Sequence, residues 1–177
     1  GVVAAGAILH YLSEAHHNKI PHITSIRRIF EEEYVWMDRF TIRNLELFQS
    51  TNPNGVALID VLDKTLTAMG GRMLKHWLAF PERNLSKIEE RLDLVEALTK
   101  DDSIKDKMAN HLSEIVDIER IVAKIATQKI SPRALVQLGK SLDQVTEIKV
   151  DLLDHPSTKL KTLGGRFLDA MEVIKLI

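Results

Sequence analysis

The chain has 177 residues, of which 45% are hydrophobic and 28% charged, with a formal net charge of -1. That length can bury a core without covalent staples, and the mix is that of a globular chain rather than a disordered one. The charge balance predicts no global attraction to nucleic acid or membrane, so any DNA contact would have to come from a local patch. There is no cysteine, which excludes disulfides, thiol catalysis and Cys-based zinc sites and fits a reducing cytosol. No apolar run approaches the roughly 20 residues of a membrane span. The start, GVVAAGAILHYL, lacks a basic leader and soon meets Glu14, His16 and His17, so it reads as a helix and not a signal peptide. Gly1 is not an initiator Met, and MEVIKLI stops uncapped inside a helical pattern. Both ends suggest a segment cut from a longer protein.

In chain order, residues 2–17 predict a helix, with Ala5, Ile8, Leu9 and Leu12 at helical spacing and Ile20-Pro21 as its stop. Residues 25–40, SIRRIFEEEYVWMDRF, predict two short strands with a polar turn at the three glutamates. A continuous helix is the alternative. Thr41 to Phe48 predicts a short helix through Ile42, Leu45 and Phe48, and STNPNG at 50–55 a loop. VALIDVLD and TAMGGRMLKHWLAF follow as two helices, the second stopped by Pro81.

The second half predicts helix throughout. Ile88, Leu92 and Val95 form one apolar stripe, and Ile118, Ile121, Val122 and Ile125 form another. Ser131-Pro132 is an N-cap with proline at the first helical position. Behind it Leu135, Leu138, Leu142, Val145 and Ile148 hold one face. After a break at His155-Pro156-Ser157, a last helix carries Leu160, Leu163, Phe167, Met171 and Ile174. The expected fold is mainly α: an irregular helical bundle with a small β-hairpin near the N-terminal third.

Three stretches invite a chemical reading. Gly70, Gly71 and Arg72 open a helix, as phosphate cradles do, and residues 64–83 carry four bases and one acid. The spacing is not that of a P-loop or a dinucleotide fingerprint, and no buried strand precedes the glycines. Close packing at a helix start is the plainer reading. His10, His16, His17 and His22 cluster in sequence, yet no acidic ligand lies at matched spacing, so no metal site is expected. In DRFTIRNLE, Asp38 and Thr41 form an N-cap pattern, while Arg43, Asn44 and Glu46 place polar groups suited to an interdomain hydrogen-bond network. No Ser-His-Asp set and no catalytic carboxylate pair can be argued.

The wording of several blocks carries further. AAGAILHYL and IPHI, MDRFTIRNLELF, VLDKTLTAMGGRMLKHWLAFP, IEERLDLVEAL, DIERIVAKIA and SPRALVQL resemble, in order, the start of the core domain of the MutS family of DNA mismatch-repair proteins. The most specific are Arg43-Asn44-Leu45-Glu46, the Thr67 to Trp77 block with Arg72, Asp117-Ile118-Glu119-Arg120 and Ser131-Pro132-Arg133. The resemblance implies that residues 1–177 are a fragment of the core, or lever, domain. Residues 1–24 would be a connector-junction helix, 25–80 a small β part with short helices, and 81–177 lever helices leading towards an absent clamp. The fragment itself would be no enzyme and would hold no cofactor or metal, ATP and magnesium belonging to the parent protein.

Implied partners are the other MutS domains, mismatched duplex DNA through those domains, a second copy of the parent and a MutL-type protein, in the cytoplasm and away from membranes. Asp38, Arg43, Asn44, Glu46, Gly70, Gly71 and Arg72 would be the interdomain contacts. A MutS-like anti-recombination paralogue, a free-standing helical interaction module and a phosphate-binding enzyme using Gly70, Gly71 and Arg72 are the alternatives.

Overall fold

A computed structural model describes residues 2–14 and 31–177. The described residues form ten helices. They are α1 (Val2–Glu14), α2 (Arg39–Asn44), α3 (Leu58–Leu62), α4 (Ala68–Ala79), α5 (Leu85–Thr99), α6 (Asp102–Ser113), α7 (Ile118–Ala126), α8 (Pro132–Asp154), α9 (Thr158–Gly164) and α10 (Met171–Leu176). Local chemistry sets most of their starts. Asp38, Thr67, Asn84, Asp101, Asp117 and Ser131 each accept a backbone N–H from the first turn they precede, satisfying donors that have no partner within the helix. Pro132 occupies the first position of α8, where its missing N–H costs nothing. Pro81 follows the end of α4 by two residues.

The expected hairpin over 25–40 is not found. Its first half lies outside the described residues, and no strand forms among the described ones. The three glutamates make a 3-10 turn, Glu31–Glu33, and Tyr34 then forms a single antiparallel bridge with Glu82. Val35 N–H donates to Pro81 O at 2.8 Å, and Arg83 N–H to Glu33 O at 3.2 Å. The apolar and aromatic side chains that suggested a strand serve a different purpose. The Tyr34 ring meets Phe80 edge-on at 6.0 Å and His76 at 6.4 Å, fastening this segment to the end of α4.

The helix expected over 41–48 is shorter and starts earlier. Glu46 has a φ of 49° and turns the chain out of α2, so Leu47 is buried while Leu45 is exposed. Leu58 N–H donates to Glu46 O and Ile59 N–H to Leu47 O, both at 3.0 Å, closing the STNPNG loop at its base.

The core lies among the later helices. Ile104, Ile115, Ile148, Leu152 and Leu160 are buried together, with Met69, Leu94, Ala97, Leu98, Met108, Ile118, Val145, Leu163 and Phe167 packed against them. Helix α8 is the spine: α6, α7, α9 and α10 all pack on it. On α8 the expected stripe holds at Leu138 and Ile148, and burial also takes in Gly139, Ser141 and Leu152. On α5 the expected stripe is displaced. Leu92 and Val95 are exposed, and Leu94, Ala97 and Leu98 face the core.

The last helix is two helices, α9 and α10. The break falls after Gly164-Gly165, where paired glycines weaken a helix, and Asp169 Oδ1 accepts the Met171 N–H at 2.9 Å to begin α10. A side chain at Gly164 would place its Cβ 3.0 Å from Leu152 Cβ and 3.2 Å from the Leu153 backbone nitrogen. The missing side chain lets α9 lie directly on α8.

Candidate interdomain node

The best-organised polar site joins the two halves of the chain. Arg72, in the second turn of α4, reaches across to the start of α7. Its Nη1 and Nη2 donate to the two carboxylate oxygens of Asp117 at 2.8 and 2.7 Å, and its Nε and Nη2 donate to Glu119 Oε2 at 3.1 and 2.5 Å. A planar fork matched to one carboxylate edge fixes direction as well as distance, which a lysine cannot do.

Asp117 has further duties. It caps α7 by accepting the Arg120 N–H at 3.3 Å and receives Arg120 Nε at 3.3 Å. The Arg72 hydrogen bonds are the main reason its carboxyl falls to about 2, and the same bonds push the Arg72 guanidinium further above its ordinary value. Two further contacts tie α4 to the later helices: Met69 packs against the core cluster, and Arg91 of α5 lies 4.1 Å over the Trp77 ring.

Gly70 and Gly71 shape the helix start that carries Arg72. A Cβ at Gly70 would lie 3.0 Å from Thr67 Oγ1 and 3.4 Å from Thr65 Cβ, and one at Gly71 would lie 3.2 Å from Thr65 Oγ1. Among the described residues, the nearest side chains to both glycines include the threonines just before the helix. Thr67 Oγ1 accepts the Gly70 N–H at 3.0 Å, and Asp63 Oδ1 accepts both the hydroxyl (2.6 Å) and the N–H (3.1 Å) of Thr65.

These residues do not fit a nucleotide. Thr67 takes the Gly70 donor, and two carboxylates hold the cation that would meet a phosphate.

The remaining candidates lie apart from the node. Asp38 is exposed and caps α2, accepting the Thr41 N–H at 2.6 Å, which holds its carboxyl below its ordinary value. Glu46 turns inward to its own loop. Its carboxylate accepts the Thr51 N–H at 2.8 Å and the Thr51 hydroxyl, and these bonds lower its pKa, the hydroxyl foremost. Arg43 and Asn44 are exposed and make no side-chain hydrogen bond among the described residues. Phe40, Leu45, Leu66, Met73 and Trp77 are exposed apolar side chains.

His10 is exposed, 3.9 Å from Glu14, while His16, His17 and His22 lie outside the described residues. Among the described residues no group of three or more His, Asp or Glu could hold a metal, and no helix is long and apolar enough to cross a membrane. The carboxylates of Asp117 and Glu119 are the site residues that sequence reasoning missed. Both stood only within the Asp117-Ile118-Glu119-Arg120 block, and nothing in spacing ties Asp117 to an arginine 45 residues away.

The described residues are a helical scaffold in which an ion-pair node joins α4 to α7. Residues 40–175 match the family described as MutS domain III, and the chain belongs to the MutS family. It is 52% identical over 93% of its length to the DNA mismatch repair protein MutS of Flavobacterium psychrophilum and 51% identical over 93% to that of Flavobacterium johnsoniae. The MutS of Parabacteroides distasonis is 42% identical over 99% of this chain. The chain spans about a fifth of the length of these relatives (19% of each of the first two and 20% of the third).

Proposed function

We propose that this chain is the core, or lever, segment of a DNA mismatch-repair ATPase, coupling the ATP state to DNA clamping in its parent protein. It contributes no catalytic group, ATP and magnesium being held elsewhere in the parent. In this reading residues 1–24 are the connector junction, 25–80 the part with short helices, and 81–177 the lever helices leading towards a clamp. Partners are the other MutS domains, mismatched duplex DNA through those domains, a second copy of the parent and a MutL-type protein, all in the cytoplasm. The relatives' shared name favours mismatch repair over an anti-recombination paralogue.

The observation that carries the reading is the fork from Arg72 to Asp117 and Glu119. Coupling over distance needs packed elements that move as units and a defined joint between them. The fork is such a joint: it ties α4, on which Met73 and Trp77 are exposed, to α7, which packs on the α8 spine. The test is Arg72→Ala in the full-length protein, reading mismatch-stimulated nucleotide exchange and thermal melting. The reading expects slower exchange with a modest fall in melting temperature. Exchange and melting both equal to wild type sink it.

A further inference from the structure

Charge is unevenly spread along the chain. Between Glu119 and Asp143 there is no carboxylate side chain, while Arg120, Lys124, Lys129, Arg133 and Lys140 supply five bases. With a net charge of -1, the rest of the chain is acidic on balance.

The fold gathers part of this run at one end of a helical hairpin. Val116 N–H, just before α7, donates to Ser141 Oγ in α8 at 3.1 Å. The other end of α7 joins the start of α8 through residues 127–131 alone. The two helices therefore run antiparallel, and their connection is the hairpin tip. Lys124 lies in the last turn of α7, Lys129 in the connection and Arg133 in the first turn of α8. All three are exposed and make no ion pair or side-chain hydrogen bond among the described residues. The other two bases are partly compensated: Arg120 is held by Asp117, and Lys140 shares a hollow with Glu114 and Asp143.

The helix beneath the tip adds the same sign. Helix α8 has 23 residues and no acid in its first turn. Its aligned peptide dipoles put partial positive charge at that end, where an acid would stabilise the helix. Arg133 stands there instead, an arrangement that costs helix stability unless an outside anion offsets it.

We propose that the α7–α8 tip is a sequence-independent contact for the phosphate backbone of duplex DNA, made by Lys124, Lys129 and Arg133. The choice of DNA as the polyanion rests on the mismatch-repair reading. Charges spread over two helix ends and their connection suit a row of phosphates rather than one phosphate in a cradle, and backbone contacts of this kind position a protein without reading bases.

The test uses the full-length parent carrying Lys124→Gln, Lys129→Gln and Arg133→Gln together, and a second variant with Glu at the same positions. Binding to a labelled mismatched duplex and to a matched one is read by fluorescence anisotropy between about 50 and 200 mM salt, the range over which phosphate contacts change affinity most visibly. Each lost phosphate contact removes about 0.9 from the slope of log affinity against log salt. The Gln variant is expected to lose about 2–3 from that slope and roughly tenfold or more in affinity at low salt, equally on both duplexes. The Glu variant should lose more.

Slopes and affinities equal to wild type overturn the proposal. So does an unchanged DNA slope alongside lost binding to polyglutamate, which would assign the tip to an acidic protein. Melting curves matching wild type exclude misfolding as the source of a loss. A wild-type parent that binds both duplexes equally sinks the mismatch-repair reading by itself, and the slope change still decides the tip.

Discussion

Arg72 and Asp117 meet edge to edge, both terminal nitrogens of one on both oxygens of the other, at 2.8 and 2.7 Å across 45 residues of sequence. Since Asp117 also caps α7, the pair sets where α4 stands and where α7 begins. Removing either partner therefore has different consequences. Arg72→Lys keeps the charge and loses the fork, and is expected to lower the melting temperature by roughly 2–4 °C, the usual response of a chain this size to a modest loss. Asp117→Ala removes the fork and the cap together and should lower it further. Calorimetry of the two variants side by side checks the order. Equal melting would mean that the cap contributes nothing.

The same pair gives a pH dependence whose sign is fixed. The Asp117 carboxyl is depressed to about 2, chiefly by its Arg72 hydrogen bonds, against about 3.9 in an unfolded chain. A depressed acid contributes stability above its unfolded value and loses it as pH falls through the folded one. The contribution is therefore complete above pH 4 and disappears towards pH 2. Wild type and Asp117→Asn, melted in steps between pH 5 and pH 2, should converge as the pH drops. A constant gap would refute the assignment.

Ser141 is fully buried, and its Oγ accepts the Val116 N–H at 3.1 Å. Ser141→Ala leaves that amide without a partner in the interior and should cost about 1–3 kcal/mol in denaturant unfolding. Ser141→Thr adds a methyl group to a filled site and should also destabilise, by about 1–3 kcal/mol. If alanine proves neutral, the bond is not holding the approach to α7 against α8.

Gly164 and Gly165 are neighbours with opposite expectations. Gly164→Ala drives a methyl group against Leu152 and the Leu153 backbone, with an expected cost of about 1–3 kcal/mol as α9 is pushed off α8. Gly165→Ala meets nothing closer than 3.5 Å and has an α-region φ of -66°. It should be neutral or stabilise by about 0.4–1 kcal/mol through the unfolded chain. Urea midpoints of the two variants settle the contrast.

His155 makes a tautomer prediction. The Ser157 backbone N–H, which can only donate, points at Nδ1 at 3.0 Å, and Nε2 lies 3.2 Å from Asp101 Oδ2. Neutral His155 must then carry its proton on Nε2. Nitrogen-15 NMR of the ring at high pH tests this, and a proton on Nδ1 would contradict the geometry.

What the sequence made legible was local. Asp38, Ser131-Pro132 and Pro81 announce helix ends because a cap or a stop acts within three or four residues. The helical spacing of α7 and α8 was readable for the same reason, and the family blocks fixed the identity. The failures share one cause, a partner distant in sequence. Tyr34 pairs with Glu82 rather than a hairpin neighbour, Leu94 rather than Leu92 meets the core, and Gly164 is the point where α9 closes directly onto α8. The candidate site divided the same way. Arg72 stood out by its setting, but Asp117 and Glu119, which give it meaning, lie 45 and 47 residues further on.

Helix α8 touches four other helices, and its buried residues run from Leu138 to Leu152. That shared stretch cannot come apart in pieces, since opening any turn of it strips the footing from a neighbour. The second half of the chain should therefore exchange its deepest amide hydrogens in one concerted event, with α6, α7 and α9 released together with the middle of α8. The first turn of α8, outside that shared stretch, is free to fray and reform on its own.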